Sequence, residues 1–373
     1  MTTMQHQCDP VLYIDCTASL HNGMNTGIQR VVWALASQAN VFTEVLGVDC
    51  VLIAYKASGF YRFTLEAPAN LQPVEFARGD IYLCLDSFWS MDIYTRYPFL
   101  RERGVFLVTL IYDLIPIMYQ DFVDIERRKE FENALSVIIK NSRLLPCISR
   151  ATRRDLLSYC SEWYSHVQAS NCPIIPLAPG IQMPRTADDT SKRRLPSKPF
   201  FLMVGSIEPR RGYRYTLREL RRYWANGGAN AALIIGRLAG NGEIVVEDFV
   251  AAIQEGLPLY WLADAEDYEV AAAYQCAKAV ICSSRAEGYG MSVSEGLAYN
   301  GLVLANRLPV FLEFAGLLPY YFDVDVAGDL SQLLDNVDML VRRRQSVAGM
   351  GTWEDTARML AVNLAKIDLS PSG

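Results

Sequence analysis

Short apolar segments alternate with longer amphipathic ones along most of the chain. In the first half, the apolar segments predict strands at 11–14, 51–55, 81–85, 105–111, 145–148 and 173–177. The segments between them show helical spacing, as at Ile28, Val31 and Leu35, where Thr26 is a candidate N-cap. Further helices are predicted at 124–139 and 150–159, and a loop at 15–26. Alternating strands and helices predict an α/β fold with a mainly parallel sheet.

The alternation stops at residues 181–200, which are polar, contain prolines and show no periodicity. It then resumes with predicted strands at 201–204, 232–235, 259–262, 279–282 and 301–305, and with helices at 215–224, 267–276, 293–299, 330–342 and 353–367. We therefore predict two doubly wound domains, 1–185 and 186–373, whose strand ends face each other across a cleft. The last helix is free to cross back to the first domain.

Composition narrows the class of protein. The 373 residues are 51% hydrophobic and 20% charged, with a net charge of −6, so a general nucleic-acid binder is disfavoured. The nine cysteines are scattered and form no C-x-x-C pair, which fits a reducing cytosol. We expect no leader, and the longest apolar run, 105–118, is too short to span a bilayer. We expect a soluble protein, bound at most to a membrane surface.

The segment A-E-G-Y-G-M-S-V-S-E, residues 286–295, joins a predicted strand to a predicted helix. Its glycines allow close approach of the backbone to a ligand, and a helix N-terminus suits a diphosphate. Glu287 and Glu295, with seven residues between them, are placed to accept hydrogen bonds from the hydroxyls of a hexose and a ribose. An ordinary glycine-containing turn with solvated glutamates explains this segment equally well when it is taken alone.

The sequence contains two other acidic motifs. Tyr112-Asp113 follows the apolar run at 105–111, so Asp113 is either a functional group at a strand end or a cap before Pro116. Asp323-Val324-Asp325 is expected to be a loop and not a metal site. No G-x-G-x-x-G follows the first strand, which disfavours a Rossmann oxidoreductase.

Several motifs together resemble retaining glycosyltransferase family 4. They are G-S-I-E-P-R-R-G (205–212), the segment 286–295, L-P-V-F-L-E (308–313) and T-W-E-D-T-A (352–357), in the family's order and spacing. T-G-I-Q-R (26–30) and Y-D-L-I-P (112–116) also look like that family's first domain. The resemblance implies the GT-B fold, two Rossmann-like domains facing across a cleft. The first would bind the acceptor and the second the nucleotide sugar.

The resemblance also implies roles for residues of the second domain. Glu287 would contact the hydroxyls of the donor sugar, and Glu295 would hold the ribose. Arg211 would pair with the diphosphate, at a position where the family usually has lysine; a bidentate arginine can keep that role. Further donor contacts would come from residues flanking these positions or from the first domain: Ser206, Arg210, Gly290, Met291, Ser292 and Gly27.

The implied reaction needs no cofactor and no metal. The departing diphosphate oxygen would take the acceptor's proton, with Arg211 and the helix N-terminus stabilising the leaving charge. Many relatives have histidine where this chain has Tyr112, so a polar role for Asp113 near the acceptor is a weaker expectation. His21, in the predicted loop after the first strand, is a weaker candidate still.

The function implied is a retaining hexosyltransferase of polysaccharide or lipopolysaccharide biosynthesis. GDP-mannose is the first expectation for the donor, and UDP-sugars or dTDP-rhamnose remain open. The acceptor would be a glycan or a lipid-linked glycan, which places the protein in the cytoplasm at the inner face of the membrane. Basic clusters such as 127–129 are candidates for peripheral lipid contact. The alternative to an enzyme is a non-catalytic module that binds a sugar nucleotide.

Overall fold

The computed structural model describes residues 9–22, 27–57, 59–90, 92–180, 192–343 and 351–367. These residues form two compact units. The first contains the described residues up to Ile117, those from Glu126 to Leu177, and those from Thr352 onward. The second contains Met118–Ile125 and the described residues between Ala178 and Gly351.

A seven-stranded sheet forms the centre of the first unit, in the order β4-β3-β2-β1-β5-β6-β7. Its strands are β1 Leu12–Asp15, β2 Cys50–Lys56, β3 Gly59–Thr64, β4 Ala67–Val74, β5 Ile81–Cys84, β6 Phe106–Thr109 and β7 Ser142–Leu144. Strand β1 is buried along its whole length and pairs in parallel with β2 and β5. Continuous apolar runs such as this one are expected for strands that helices cover on both faces.

The hairpin of β3 and β4 is antiparallel, so the first sheet is mixed, and the sequence pattern did not predict it. Strand β4 lies at the edge of the sheet, contains Pro68 and Pro73, and is mostly exposed. Proline cannot donate to a ladder and is tolerated at such an edge. These features hide the strand from a search for apolar runs.

Helices of the first unit connect the strands. They are α1 Thr17–Asn22, α2 Gly27–Ala36, α3 Ala39–Leu46, α4 Ile93–Glu102, α5 Ile115–Met118, α6 Ile125–Asn141 and α7 Arg150–Trp163. The last residue of α5 and the first of α6 belong to the short segment assigned to the second unit. The loop predicted at 15–26 is therefore wrong over α1, and the predicted cap Thr26 lies outside the described residues. The strand predicted at 145–148 is replaced by β7 just before it, with an isolated bridge at Cys147.

The second unit contains a six-stranded sheet in which every pairing is parallel, in the order β10-β9-β8-β11-β12-β13. Its strands are β8 Phe200–Val204, β9 Ala231–Ile235, β10 Leu259–Leu262, β11 Ala279–Cys282, β12 Val303–Asn306 and β13 Tyr320–Phe322. Strands β8 and β11 are neighbours at the centre although β9 and β10 separate them in sequence. Such a topological switch point is where open α/β sheets bind ligands.

Helices alternate with these strands: α8 Tyr213–Ala225, α9 Glu243–Gln254, α10 Asp267–Cys276, α11 Met291–Tyr299, α12 Pro309–Ala315 and α13 Asp329–Asp335. The helix predicted at 330–342 is thus shorter than expected, because a separate 3₁₀ turn occupies 337–339. The last helix, α14 Trp353–Leu364, belongs to the first unit and packs against α3 and α2. The predicted α/β architecture with two sheets is confirmed.

No helix within the described ranges combines the length and the apolar character needed to cross a bilayer.

Candidate functional site

The loops that follow β8 and β11 touch each other at the carboxyl-terminal edge of the second sheet. The Arg285 amide donates to the carbonyl of Arg210 at 2.7 Å, and the Ser283 hydroxyl donates to the carbonyl of Arg211 at 2.9 Å. Each loop leads into a helix, α8 after the first and α11 after the second. Two helix N-termini therefore flank this edge, and each contributes a partial positive charge.

Gly212 explains how the two loops come so close. It adopts a left-handed conformation with φ +71°, and a Cβ built on it would lie 2.0 Å from the carbonyl oxygen of Ser283. Any other residue would have to push the loops apart or adopt a disfavoured φ angle. The glycine at the end of the 205–212 motif thus fixes the position of the arginines before it.

Arg210, Arg211 and Glu287, all predicted site residues, meet between these loops. Arg211 Nη1 forms an ion pair with Glu287 Oε1, and Arg210 Nη1 lies 3.4 Å from Glu287 Oε2. The Ser284 hydroxyl also donates to Glu287 Oε1, at 2.8 Å. The Glu287 side chain is only 7% exposed, whereas the two arginines are 17% and 20% exposed. The two arginines are therefore more accessible to solvent than the Glu287 carboxylate with which they pair.

Glu208 completes this cluster, and sequence reasoning did not single it out. Its Oε1 lies 2.8 Å from Arg210 Nη2 and 3.7 Å from Arg211 Nε, and it accepts a hydrogen bond from the predicted site residue Ser206 at 2.5 Å. Burial raises the pKa of Glu208, but the charges of Arg210 and Arg211 together with hydrogen bonds from Ser206 and Arg210 lower it more, so its net pKa is below the ordinary value. The spacing E-P-R-R, with the acid two and three residues before the arginines, was the available signal.

The first turn of α11 contains the predicted site residues Gly290, Met291 and Ser292. Gly290 adopts φ +100°, and no side chain caps the helix. A Cβ at Gly290 would lie 2.2 Å from Cε1 of Phe311, so only glycine fits. First-turn amides such as those of Met291 and Ser292 have no intrahelical acceptor and are available to an anion.

Glu295 lies one turn further along α11 and is 2% exposed. It accepts a hydrogen bond from the Tyr274 hydroxyl at 2.8 Å. The chain passes close by at Gly180, where a Cβ would lie 2.9 Å from Glu295 Oε1 and 2.4 Å from the Met291 methyl. The structure thus places Glu295 on the same helix as Met291 and Ser292.

Within the described ranges, no group of three or more histidine, cysteine, aspartate or glutamate side chains is arranged to hold a metal ion. The two aspartates of the D-x-D motif have other partners. Asp325 pairs with Arg285 at 2.8 Å, and Asp323 accepts a hydrogen bond from the Asp325 amide at 2.8 Å. Both residues stabilise the loop after β13.

The remaining predicted residues belong to the first unit. Asp113 accepts a hydrogen bond from the Ile115 amide at 2.9 Å, which is the capping arrangement considered as its alternative role. The Tyr112 hydroxyl donates to the Leu85 carbonyl at 2.6 Å, and burial raises its pKa. Gly27 is the exposed first residue of α2, and His21 Nε2 lies 3.2 Å from the Tyr55 carbonyl.

A buried ionic network at the end of β1 was also missed. Asp15 and Arg96, 0% and 2% exposed, form an ion pair at 3.2 Å. Asp15 also accepts hydrogen bonds from the Tyr82 hydroxyl and from the amide and hydroxyl of Thr17. The signal was a carboxylate ending a buried strand, as at Asp113. Every oxygen of Asp15 is used within the protein, which indicates a structural role.

Comparison with known proteins identifies what the second unit is similar to. Residues 185–317 match the family model described as Glycosyl transferases group 1. This range contains both loops, the arginine cluster, and Glu287 and Glu295.

Among curated proteins, the chain is 23% identical over 377 residues to the serotype-specific mannosyltransferase WbdA of Escherichia coli. The alignment covers 95% of this chain and 46% of that protein, so the chain spans about half the length of the curated relatives it matches.

Solved structures of similar fold include sucrose-phosphate synthase from Thermosynechococcus elongatus, with a TM-score of 0.62 and 14% identity, covering 95% of this chain and 94% of that one. Another is HepE of Anabaena in complex with UDP and glucose, with a TM-score of 0.61 and 12% identity, covering 94% of each chain. These likenesses establish the fold, which is GT-B as the sequence motifs implied.

Proposed function

We propose that this chain, which carries a glycosyl transferases group 1 domain on a GT-B fold, is a retaining glycosyltransferase that moves a hexose from a nucleotide sugar to a glycan acceptor. The observation that carries the proposal is the cluster of Arg210, Arg211 and Glu287 beside the uncapped N-terminus of α11. Cations and free amides there suit a diphosphate, and a carboxylate beside them suits sugar hydroxyls. A nucleotide sugar requires both kinds of group side by side, which supports the proposal.

We assign a role in the proposed reaction to each of these residues. Arg211 and the first-turn amides of α11 would bind the diphosphate and stabilise its charge as the glycosidic bond breaks. Glu287 would accept hydrogen bonds from the transferred sugar. Glu295, one turn further along α11, would take the ribose hydroxyls. The diphosphate oxygen would receive the acceptor's proton, so the chemistry needs no cofactor and no metal.

GDP-mannose is the first choice of donor, because the curated relatives are mannosyltransferases. A UDP-sugar is the second, because a structure of similar fold was solved with UDP and glucose. The nucleotide can be identified by thermal unfolding of the protein with GDP, UDP, dTDP and their sugars, since a ligand of the native state raises the unfolding temperature. The proposal predicts a clear shift with one base. No shift with any of them would favour a non-catalytic module.

The acceptor is proposed to be a glycan, free or carried on a lipid, in surface polysaccharide assembly. If the carrier is a lipid, we expect the protein to sediment with anionic phospholipid vesicles in a salt-sensitive manner.

The metal-free mechanism predicts that transfer activity persists in EDTA. A strict need for added Mg²⁺ or Mn²⁺ would overturn the metal-free mechanism. The anomeric configuration of the product, followed by NMR, tests retention.

A further inference from the structure

Two arginines and two glutamates share one network in the proposed donor site. Glu208 contacts Arg210 at 2.8 Å and lies 3.7 Å from Arg211 Nε, while Glu287 pairs with Arg211 and lies 3.4 Å from Arg210. Because the formal charges of these four side chains cancel, the arginines are not an open cationic surface. A diphosphate must compete with a glutamate for them.

Arg211 is the arginine that is free to change partner. Its Nε is buried and has no hydrogen-bond acceptor among the described residues. A buried donor without an acceptor is unfavourable, so the guanidinium is incompletely satisfied where it lies. Arg210 is held more firmly, since it also donates to the Ala286 carbonyl at 3.0 Å. The surroundings of the two arginines therefore differ although they are adjacent in sequence.

Movement of Arg211 away from the cluster would remove an ion-pair partner of the buried Glu287 carboxylate. The carboxylate is 7% exposed, so little water can replace the arginine. It would keep the Ser284 hydroxyl at 2.8 Å and Arg210 at 3.4 Å. A buried carboxylate that loses its ion-pair partner is destabilised unless new donors reach it. The hydroxyls of a sugar attached to the diphosphate are donors of the required kind.

We propose that Arg211 exchanges partners when a donor binds, moving from Glu287 to the diphosphate while the sugar hydroxyls take its place on Glu287. Glu208 and Arg210 stay paired and position the loop during the exchange. Glu287 is then the residue that makes tight binding depend on the sugar. A nucleoside diphosphate without sugar takes Arg211 but leaves Glu287 uncompensated, so the product of the transfer binds more weakly than the donor. This inference rests on the proposed function.

The test is calorimetric titration of the wild-type protein and Glu287→Gln with GDP and GDP-mannose, and with UDP and UDP-glucose, without acceptor. The wild-type protein should prefer the nucleotide sugar over the diphosphate of the same base. Glu287→Gln should bind the nucleoside diphosphate about tenfold more tightly and lose that preference, because the amide no longer retains Arg211. Glu287→Asp, whose shorter side chain reaches Arg211 less well, should change both quantities in the same direction by less.

Asp325→Asn is the matched control. It removes one negative charge that pairs with Arg285 of the neighbouring loop and does not contact Arg210 or Arg211. It should leave the affinities for the nucleoside diphosphate and for the nucleotide sugar unchanged. If Asp325→Asn tightened diphosphate binding as much as Glu287→Gln, the loss of any nearby negative charge would explain the effect, and the exchange would be overturned. Weaker diphosphate binding by Glu287→Gln, or an unchanged preference for the sugar, would also overturn it. Binding of no nucleotide by the wild-type protein would instead remove the proposed function.

Discussion

The carboxyl-terminal edges of the two sheets use charge in opposite ways. In the first unit, Asp15 and Arg96 are almost wholly buried, and Tyr82 and Thr17 occupy the other bonding positions of the carboxylate. In the second unit, Arg211 remains 20% exposed and has a buried Nε without a hydrogen-bond acceptor in the described part of the chain. In both units the carboxylate of the pair lies at or just beyond the carboxyl end of a buried strand: Asp15 ends β1, and Glu287 lies in the loop after β11.

The comparison shows which property separates a structural ion pair from a binding site. Position at the strand ends does not distinguish the two ion pairs, because both pairs lie there. The first pair is satisfied and closed to solvent, so a ligand can neither reach it nor improve it. The second is partly accessible to solvent, incompletely bonded, and next to an uncapped helix N-terminus. A ligand with anionic oxygens can accept hydrogen bonds from Arg211 and from the helix amides, and so stabilise the site.

The largest expected effect is on stability, in the first unit. Asp15→Ala leaves Arg96 buried without its carboxylate and should lower the free energy of unfolding by about 3–5 kcal/mol. Urea denaturation measures this. As a control, Arg358→Ala removes an exposed pair with Glu44 and should leave the denaturation midpoint near that of the wild type. If Asp15→Ala were as stable as the wild type, the network would not be structural.

The next effect is on turnover, in the second unit. Arg211→Ala should lower the transfer rate by roughly 10²–10³-fold, in the range seen when one donor to a developing charge is removed. Because the variant also leaves the buried Glu287 without its ion pair to Arg211, we expect some loss of stability, and the rates should be compared at a temperature at which both proteins are folded. Arg218→Ala in α8 is the control, because Arg218 is exposed and has no partner among the residues that the structure describes. Near-normal transfer by Arg211→Ala would mean that another group carries the diphosphate.

Sequence reasoning succeeded where a pattern directly encodes geometry. Most parallel strands were visible as apolar runs, although β7 and β13 were not predicted. The glycine-rich turn at 286–295 predicted a helix N-terminus with Glu287 beside it. The hairpin β3–β4 was invisible because an exposed edge strand with two prolines lacks an apolar pattern. Glu208 was missed because its role depends on the fold of the loop around Gly212, which brings Arg210 and Arg211 to Glu287. Whether a polar side chain is satisfied cannot be read from a sequence.

A smaller effect should follow from crowding the loop contact. Gly212→Ala places a Cβ near the Ser283 carbonyl oxygen at a positive φ, so it should lower both stability and nucleotide affinity. Gly256→Ala is the matched control: its φ is +78°, and nothing lies within 4 Å of the added Cβ. The control should lose only about 1–2 kcal/mol of stability, because alanine is strained at this φ, and it should keep its nucleotide affinity. Equal losses in the two variants would show that the loop contact is unimportant.

The smallest effect concerns the nucleoside. Glu295→Ala should weaken nucleoside diphosphate binding by about tenfold, as expected for the loss of a hydrogen bond to a charged group. Tyr274→Phe removes only the hydroxyl that donates to Glu295 at 2.8 Å and should weaken binding less. Calorimetric titration measures both. Unchanged affinity in Glu295→Ala would remove the ribose role of this residue.

The most direct test of the account is a crystal structure of the protein soaked with the nucleoside diphosphate that gives the largest thermal shift. We expect density for the diphosphate between Arg211 and the first-turn amides of α11, with the ribose beside Glu295. Density for the nucleotide in another part of the protein, or diphosphate density without contact to Arg211, would contradict the assignment of this edge as the donor site.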